Sequence, residues 1–487
     1  MSHPRPAVLR RGAAAIAACA LLLQPLAGLA RPAPRPAAPT PAEAVRRILG
    51  EALASDDAYD GLAELCDSVG NRPSGSPALD KAIAWAQARM QKAGLRNVRA
   101  EPVTVPAWSR GEERARLLSP LERPLSILGL GPSPATPDGG LTADAVVVSS
   151  FDELHQLGEA AVRGRIVVYD VPYTGYGETV RYRAAGAAEA QKLGAVAVLV
   201  RSIGPISYDT PHTGFVFYPP GAPRIPAAAT TIEEASALHR MAARGQTPRI
   251  HLELGGRTLP DAPSANVVGE VVGRERPEEV VLLGAHLDSW DVGQGAQDDG
   301  AGVIEVMEAA HLLARLGLAP RRTVRVVLFT NEESGLQGGK GYAWAHLAEL
   351  PRHVAVLESD SGAAAIRNFT VDQRPRGLPE VWPPVPRSAE VQAQIKQLFE
   401  GARPRIEKAT AYLEPLGATR VDPGHAGADL EAMLGEGVLG IGIEHDTTHY
   451  FDVHHTRADT FDKVDRHVLR SNVAVVTALA YLLAELL

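Results

Sequence analysis

The sequence predicts an α/β protein: a doubly wound, mixed but mostly parallel sheet, interrupted by an inserted second module. Three observations predict it. Short β-rich runs, Val280-Val281-Leu282-Leu283, Val324 to Phe329, Val354-Ala355-Val356-Leu357 and Val438 to Ile443, are largely apolar at successive positions, as strands covered on both faces must be. Between the first two runs lies a helical pattern, Ala301 to Leu316, with Val303, Val306, Met307, Ala310 and Leu313 on one face and Gly317 at its end. Upstream of Pro263 a separate strand and helix rhythm occupies 140–254, set off by a Pro- and Gly-rich stretch from Gly129 to Gly140.

The chain has 487 residues, 45% hydrophobic and 22% charged, enough for two or three domains with sizeable cores. Its net charge of −8 gives no basic surface for nucleic acid or anionic lipid.

Residues 1–30 read as a signal peptide. Arg5, Arg10 and Arg11 precede an apolar run from Ala13 to Leu23 that ends in small residues around Gly28 and Ala30, and the run is too short to span a bilayer. Arg10-Arg11 has poor surroundings for a twin-arginine signal, and Cys19 sits inside the apolar run rather than at its end, against a lipoprotein cleavage box. The chain is therefore expected to be exported, to the periplasm or beyond. Cys66 is then the sole cysteine, so no internal disulfide forms, and it reads as a buried inert thiol. Residues 31–41 form a Pro/Ala-rich tether.

From about Ala42 to Gly94 the spacing predicts helices broken at Asn71 to Pro77, and Val98 to Pro106 alternates as a strand. In 140–254 the expected elements are the strands Ala145 to Val148, Arg165 to Tyr169 and Ala195 to Val200 and a helix through Ala184 to Lys192. His212 and His239 are its scattered histidines, read as surface or core residues, so this module is expected to be noncatalytic.

The chemistry gathers after the strands. His286 and Asp288 follow the first run, Asp298-Asp299 open the helix, Glu332-Glu333 follow Phe329, and Glu358 and Asp360 follow Leu357. In an open α/β sheet, ligands bind beyond the carboxyl ends of strands. Imidazoles and carboxylates set singly at such ends suit a pair of hard or borderline divalent ions. A neutral His286 offers one ring nitrogen to metal, and the Asp288 carboxylate is expected to accept the proton of the other. Asp298 has an oxygen for each of two ions, and Asp299 is assigned to capping the helix. Adjacent Glu332 and Glu333 repel each other unless cations lie beside them; one then binds metal while the other takes a proton from water. Asp360 is favoured over Glu358 as a ligand by strand alternation. In the tail, spacing alone does not choose among His445, Asp446, His449, Asp452, His454 and His455.

From about Tyr59 onward, the segments Val69-Gly70 through Gly75-Ser76, Glu101-Pro102-Val103 with Trp108 and Arg110-Gly111-Glu112-Glu113, Pro211-His212-Thr213-Gly214, and above all His286 to Ala296 followed by Asp298-Asp299-Gly300 carry a resemblance. The chain resembles the di-zinc aminopeptidase/carboxypeptidase family that includes bacterial leucyl aminopeptidases. The resemblance implies a zinc-peptidase type of catalytic domain in 42–139 and 255–487, and a protease-associated domain in 140–254 near the active-site mouth. It implies two divalent ions, zinc, bound by His286, Asp298, Glu333, Asp360 and His455. The tail ligand His455 is chosen by the Asp459-Thr460 pair four residues on, and the sharing of terminal ligands between the ions stays open. It implies Glu332 as general base and Asp288 as the orienting acid, hydrolysis of dipeptides or short peptides, and a homodimer. Asn331 stands where relatives often carry a small residue, and Ser334-Gly335-Leu336 follows the pair; these departures are expected to touch the pocket wall. An aminopeptidase acting on longer peptides is the alternative enzyme. A noncatalytic peptidase-like binding protein is a third reading, disfavoured because such proteins lose ligands or the base and all are present here.

Overall fold

The computed structural model describes residues 38–378 and 387–487. The expected signal peptide lies outside these residues, as does most of the tether, whose last residue, Pro41, already opens the helix Pro41–Ala52. Thr40 and Glu43 close that helix reciprocally, each side chain accepting the other's backbone N–H. The helices Asp57–Ser68 and Pro77–Lys92 follow, with the expected break between them.

The chain then enters β1 (Arg96–Ser109) and leaves it at once for a second sheet. That sheet holds β2 (Glu113–Ser119), β3 (Arg123–Leu125), β4 (Ile127–Gly129), β5 (Leu141–Val148), β6 (Ile166–Tyr169), β7 (Ala197–Arg201), β8 (Ala227–Thr230) and β9 (Arg249–Leu254), in the order β3-β2-β9-β5-β6-β7-β8-β4. Its parallel core, β5 to β8, carries the helix Arg181–Lys192. β2 pairs antiparallel with β9, so this sheet reaches upstream of the boundary expected at Gly140. The Pro- and Gly-rich stretch 129–140 therefore links strands of one sheet, and the pairing that decides it joins residues far apart in sequence.

The main sheet resumes with β10 (Arg257–Val271), β11 (Arg276–His286), β12 (Arg322–Phe329), β13 (His353–Glu358), β14 (Ile366–Asp372), β15 (Val421–Pro423) and β16 (Gly440–His445). Its order is β1-β10-β12-β11-β13-β16-β14-β15. β12, β11, β13 and β16 run parallel, while β1, β10 and β14 add antiparallel pairings, so the fold is mixed α/β. Because β1 and β10 pair along most of their length, the second sheet is an insertion between two adjacent strands.

Alternation on the strands sends Val281, Leu283, Val324 and Val326 to one face and Leu282, Val327 and Val356 to the other. The first face lies under the N-terminal helices, Ala301–Arg315 and Arg466–Leu486; the second lies under Gln337–Ala345. Arg466–Leu486 is long and apolar enough to cross a membrane, yet most of it is buried against the sheet and Ala301–Arg315. Cys66 is buried and unpaired in this core, and burial pushes its thiol up to about 12, as the inert reading requires.

Candidate metal centre

The parallel strands end along one edge, and the predicted residues meet there. His286 is the last residue of β11, Glu332 and Glu333 follow β12, and Asp360 follows β13. Asp298 comes from the turn before Ala301–Arg315, and His455 from the loop after β16. His286, Asp298, Glu333 and His455 are buried, and Asp360 is half-buried.

Asp298 stands between two pairs. Its Oδ1 lies 3.2 Å from His286 Nε2, which is also 3.5 Å from Asp360 Oδ1. Its Oδ2 lies 3.1 Å from His455 Nε2, itself 3.1 Å from Glu333 Oε2. By these contacts His286 stands nearest Asp360 and His455 nearest Glu333, although ligand atoms of His286, Asp298 and Glu333 also lie within 4.8 Å of one another. Ligand atoms within 4.8 Å of one another also draw in Asp299 and His454, outside the expected set. Asp299, however, is engaged elsewhere: its Oδ1 accepts the Gly302 N–H at 3.1 Å, the capping expected of it, and its Oδ2 accepts the His286 N–H at 3.1 Å. His454 stacks on His455 at 3.6 Å between ring centroids. The Asp298–Asp299 peptide bond is cis.

The electrostatics call for cations. Burial opposes a charged His286, but the Asp360 and Asp298 carboxylates outweigh it and hold its pKa well above the usual range. The same contest, with Glu333 and Asp298 as partners, raises His455 to about 9. Burial pushes the Glu332 carboxyl well above its usual range, and Glu333 adds to the effect. Glu333 Oε1 is buried and accepts no hydrogen bond, and Asp298 Oδ2 faces His455 Nε2 at 3.1 Å and His454 Nε2 at 3.5 Å. A buried oxygen with no donor, Glu333 Oε1, and two imidazoles each set between carboxylates make a donor set that fits divalent ions.

Two expectations need correction. The Asp288 side chain does not orient the His286 ring: the ring Nδ1 lies 3.0 Å from the Asp288 backbone oxygen, whereas the nearest carboxylate contact is 3.9 Å. Asp288 Oδ1 instead accepts the Glu332 N–H at 3.0 Å, so this acid positions the glutamate pair. Asn331 does not line a pocket wall. It is buried in a left-handed conformation, φ 66°, which asparagine tolerates, and its amide donates to Ser74 Oγ at 2.7 Å, fixing the turn that presents Glu332.

Glu358 is buried beside Asp429, with no hydrogen bond to either carboxylate, and lies within electrostatic reach of Asp360, Glu332 and His286. The tail sorts similarly. His445 is buried against Glu305 at 3.2 Å, His449 is exposed beside Asp452, and Asp446 pairs with Arg367 at the surface. Glu305 also accepts Ser359 Oγ at 2.7 Å and Asn472 Nδ2 at 2.8 Å, anchoring the loop that carries Asp360.

This arrangement has relatives among known proteins. Peptidase family M28 matches residues 266–480, from β10 into the last helix and across every proposed ligand. Carboxypeptidase Q of Mus musculus is 42% identical over 431 residues, covering 88% of this chain and 86% of its own length. The chain belongs to peptidase family M28. It is accordingly a zinc metallopeptidase. An M28 peptidase precursor of known structure from Shewanella amazonensis SB2B is 36% identical, with a TM-score of 0.83 over 91% of this chain and 97% of that one. A zinc aminopeptidase from Bacillus subtilis, 20% identical with a TM-score of 0.60 over 87% of this chain and 93% of its own, shares the fold.

Around this M28 centre the structure adds residues that sequence reasoning missed. Asp459 served only as a marker for His455, yet its carboxylate accepts the backbone N–H groups of Ala296 at 3.1 Å, Gln297 at 2.7 Å and Asp298 at 3.2 Å. It shapes the turn that holds Asp298 between its partners. Asp459→Ala is expected to weaken zinc binding by about 10- to 100-fold, the usual cost of losing a group that orients a metal ligand. Competition with a chromogenic chelator measures it, and wild-type zinc affinity in the variant would exclude the role. From the inserted sheet, the Tyr176 ring stacks on Phe451 at 5.0 Å and meets His454 edge-on, within electrostatic reach of Glu332 and Glu333. His212, expected to be a core or surface residue, is buried next to His454 and His455.

Proposed function

We propose that this chain is an exported two-metal peptidase that hydrolyses dipeptides or short peptides in the carboxypeptidase/dipeptidase mode, with Glu332 as general base. One observation carries the reading: a single carboxylate, Asp298, turns one oxygen to His286 and Asp360 and the other to His455 and Glu333. In this reading His286, Asp360 and Asp298 hold one ion, and His455, Glu333 and Asp298 hold the other. Bound there, two zinc ions supply Lewis-acid polarisation of the scissile carbonyl and a water whose pKa is lowered to about 7.

The remaining steps belong to the chain's own groups. Glu332 lies outside the close His–carboxylate contacts and is partly open to solvent, so its carboxylate is free to accept the proton of the attacking water. It then delivers that proton to the leaving amine as the C–N bond breaks, and returns to its starting state. Asp288, holding the Glu332 N–H, keeps that carboxylate at its post. The inserted module, read as a protease-associated domain, places Tyr176 within electrostatic reach of the glutamate pair and against Phe451.

The carboxypeptidase mode is favoured by likeness to carboxypeptidase Q along most of both chains. A free dipeptide, its N-acetyl form and its C-terminal amide separate the modes. The expected result is cleavage of the free dipeptide and loss of cleavage on amidation. Ready cleavage of the amide together with refusal of the acetylated form would assign an aminopeptidase instead. A chain that binds zinc and cleaves none of the three would favour the noncatalytic reading.

A further inference from the structure

The segment Pro211-His212-Thr213-Gly214 has no part in the mechanism above, and it touches a proposed metal ligand. Thr213 and His455 exchange two bonds. The Thr213 N–H donates to the His455 carbonyl at 2.9 Å, and the Thr213 carbonyl lies 3.2 Å from His455 Nδ1. An imidazole that binds metal through Nε2 carries its proton on Nδ1, and an acceptor for that proton fixes both tautomer and ring plane. His455 also sits at φ 59°, a left-handed conformation uncommon outside glycine though histidine adopts it more readily than most, and the bond to its carbonyl helps hold it there.

The clasp is itself braced. Thr213 Oγ1 donates to the Gly129 carbonyl at 2.6 Å, and Arg183 Nη1 donates to the Thr213 carbonyl at 3.2 Å while lying 3.4 Å from His455 Nδ1 itself, so it braces the carbonyl and the ring together. Arg183 is buried, and its Nη2 donates to Tyr176 Oη at 2.8 Å. Gly214 has φ 143°, and a Cβ there would collide with the Arg183 guanidinium. His286 is served differently: its Nδ1 faces the Asp288 carbonyl, from the peptidase sheet's own loop.

We infer that the inserted sheet builds half of the metal centre, with Thr213, braced by Arg183, as a positioning residue for His455. The inference rests on the two-metal reading above and goes beyond it: one ion site is complete within the peptidase sheet, and the other depends on the insertion.

The test uses the full chain loaded with zinc and equilibrated with graded dipicolinate, with bound zinc measured by elemental analysis. Thr213→Val removes the hydroxyl brace and Arg183→Met removes the guanidinium. Each is expected to release one of two ions at chelator concentrations about 10- to 100-fold below wild type while keeping the other. Thr213→Ser, which retains the hydroxyl, is expected to restore wild-type retention. Arg201→Met controls for general damage to the insertion, because it breaks the Arg201–Asp170 pair of the same sheet without touching the clasp; it is expected to retain both ions. Loss of both ions together, retention of both by both variants, or an equal loss in Arg201→Met overturns the inference. A wild-type chain that takes up fewer than two ions overturns the two-metal reading and the clasp with it.

Discussion

Glu332→Gln is expected to lower kcat by about 10²- to 10⁴-fold, the range for loss of a positioned general base, while zinc content stays at the wild-type level. The exchange keeps size and shape and leaves the backbone N–H that donates to Asp288 untouched. What disappears is the ability to hold a proton between attack and departure of the amine. The neighbouring exchange, Glu333→Gln, should behave differently, because Glu333 approaches His455 at 3.1 Å and its loss should empty a site. The pH dependence separates the two further. A base must be deprotonated to act, so wild-type kcat/KM falls as pH drops through the Glu332 pKa, which burial and Glu333 set well above the ordinary carboxylate range before zinc binds. Zinc lowers that value by favouring the carboxylate. In Glu332→Gln the residual activity should lose this acidic limb. Steady-state kinetics with parallel zinc analysis decide the matter; full activity at full zinc content removes Glu332 from the reaction.

The parts of this centre that were legible in sequence share a physical cause. His286, Glu333 and Asp360 stand just past runs of apolar residues, and burial of those runs in a parallel sheet forces their ends to one edge. Asp298 was legible because a second acid, Asp299, stood beside it to take the capping role. Residues that act through the backbone were not legible. Thr213 meets His455 across 242 positions, Asp459 meets Asp298 across 161, and in each case the partner is a carbonyl or N–H that every residue possesses. Residue identity says nothing about such a bond until the chain is folded. The misreading of Asp288 is the same effect at short range, since its carbonyl and not its carboxylate faces His286. The upstream limit of the insertion failed for a related reason: β2 belongs with β9, and no local composition shift marks a pairing made at that distance.

Arg72→Met is expected to destabilise the fold more than any of the exchanges at the metal centre. Arg72 is fully buried, and among the described residues its guanidinium donates to backbone carbonyls rather than to carboxylates. Nε donates to the Leu287 carbonyl at 2.6 Å, Nη2 to Gly295 at 3.0 Å, and Nη1 to Gln294 at 2.9 Å and Gly70 at 3.2 Å. These bonds tie the break between the N-terminal helices to both ends of the loop 287–295, which links His286 to Asp298. Burial lowers the Arg72 pKa, a penalty that Asp459, Asp288 and Asp299 offset from a distance. Methionine fills similar space but leaves the carbonyls without a donor. Two of the bonds are fully buried, and at roughly 1–3 kcal/mol for each unsatisfied group the loss is roughly 2–6 kcal/mol. Against the roughly 5–15 kcal/mol that typically separates folded from unfolded states, that is a large fraction. Arg72→Lys keeps the charge but cannot reach four carbonyls at once, so it should fall between the two. Urea unfolding of the zinc-free forms isolates the effect from metal binding. A shift below about 1 kcal/mol, the ordinary size for a point mutation, would mean that the loop keeps its shape without this arginine and that the four bonds follow the fold rather than hold it.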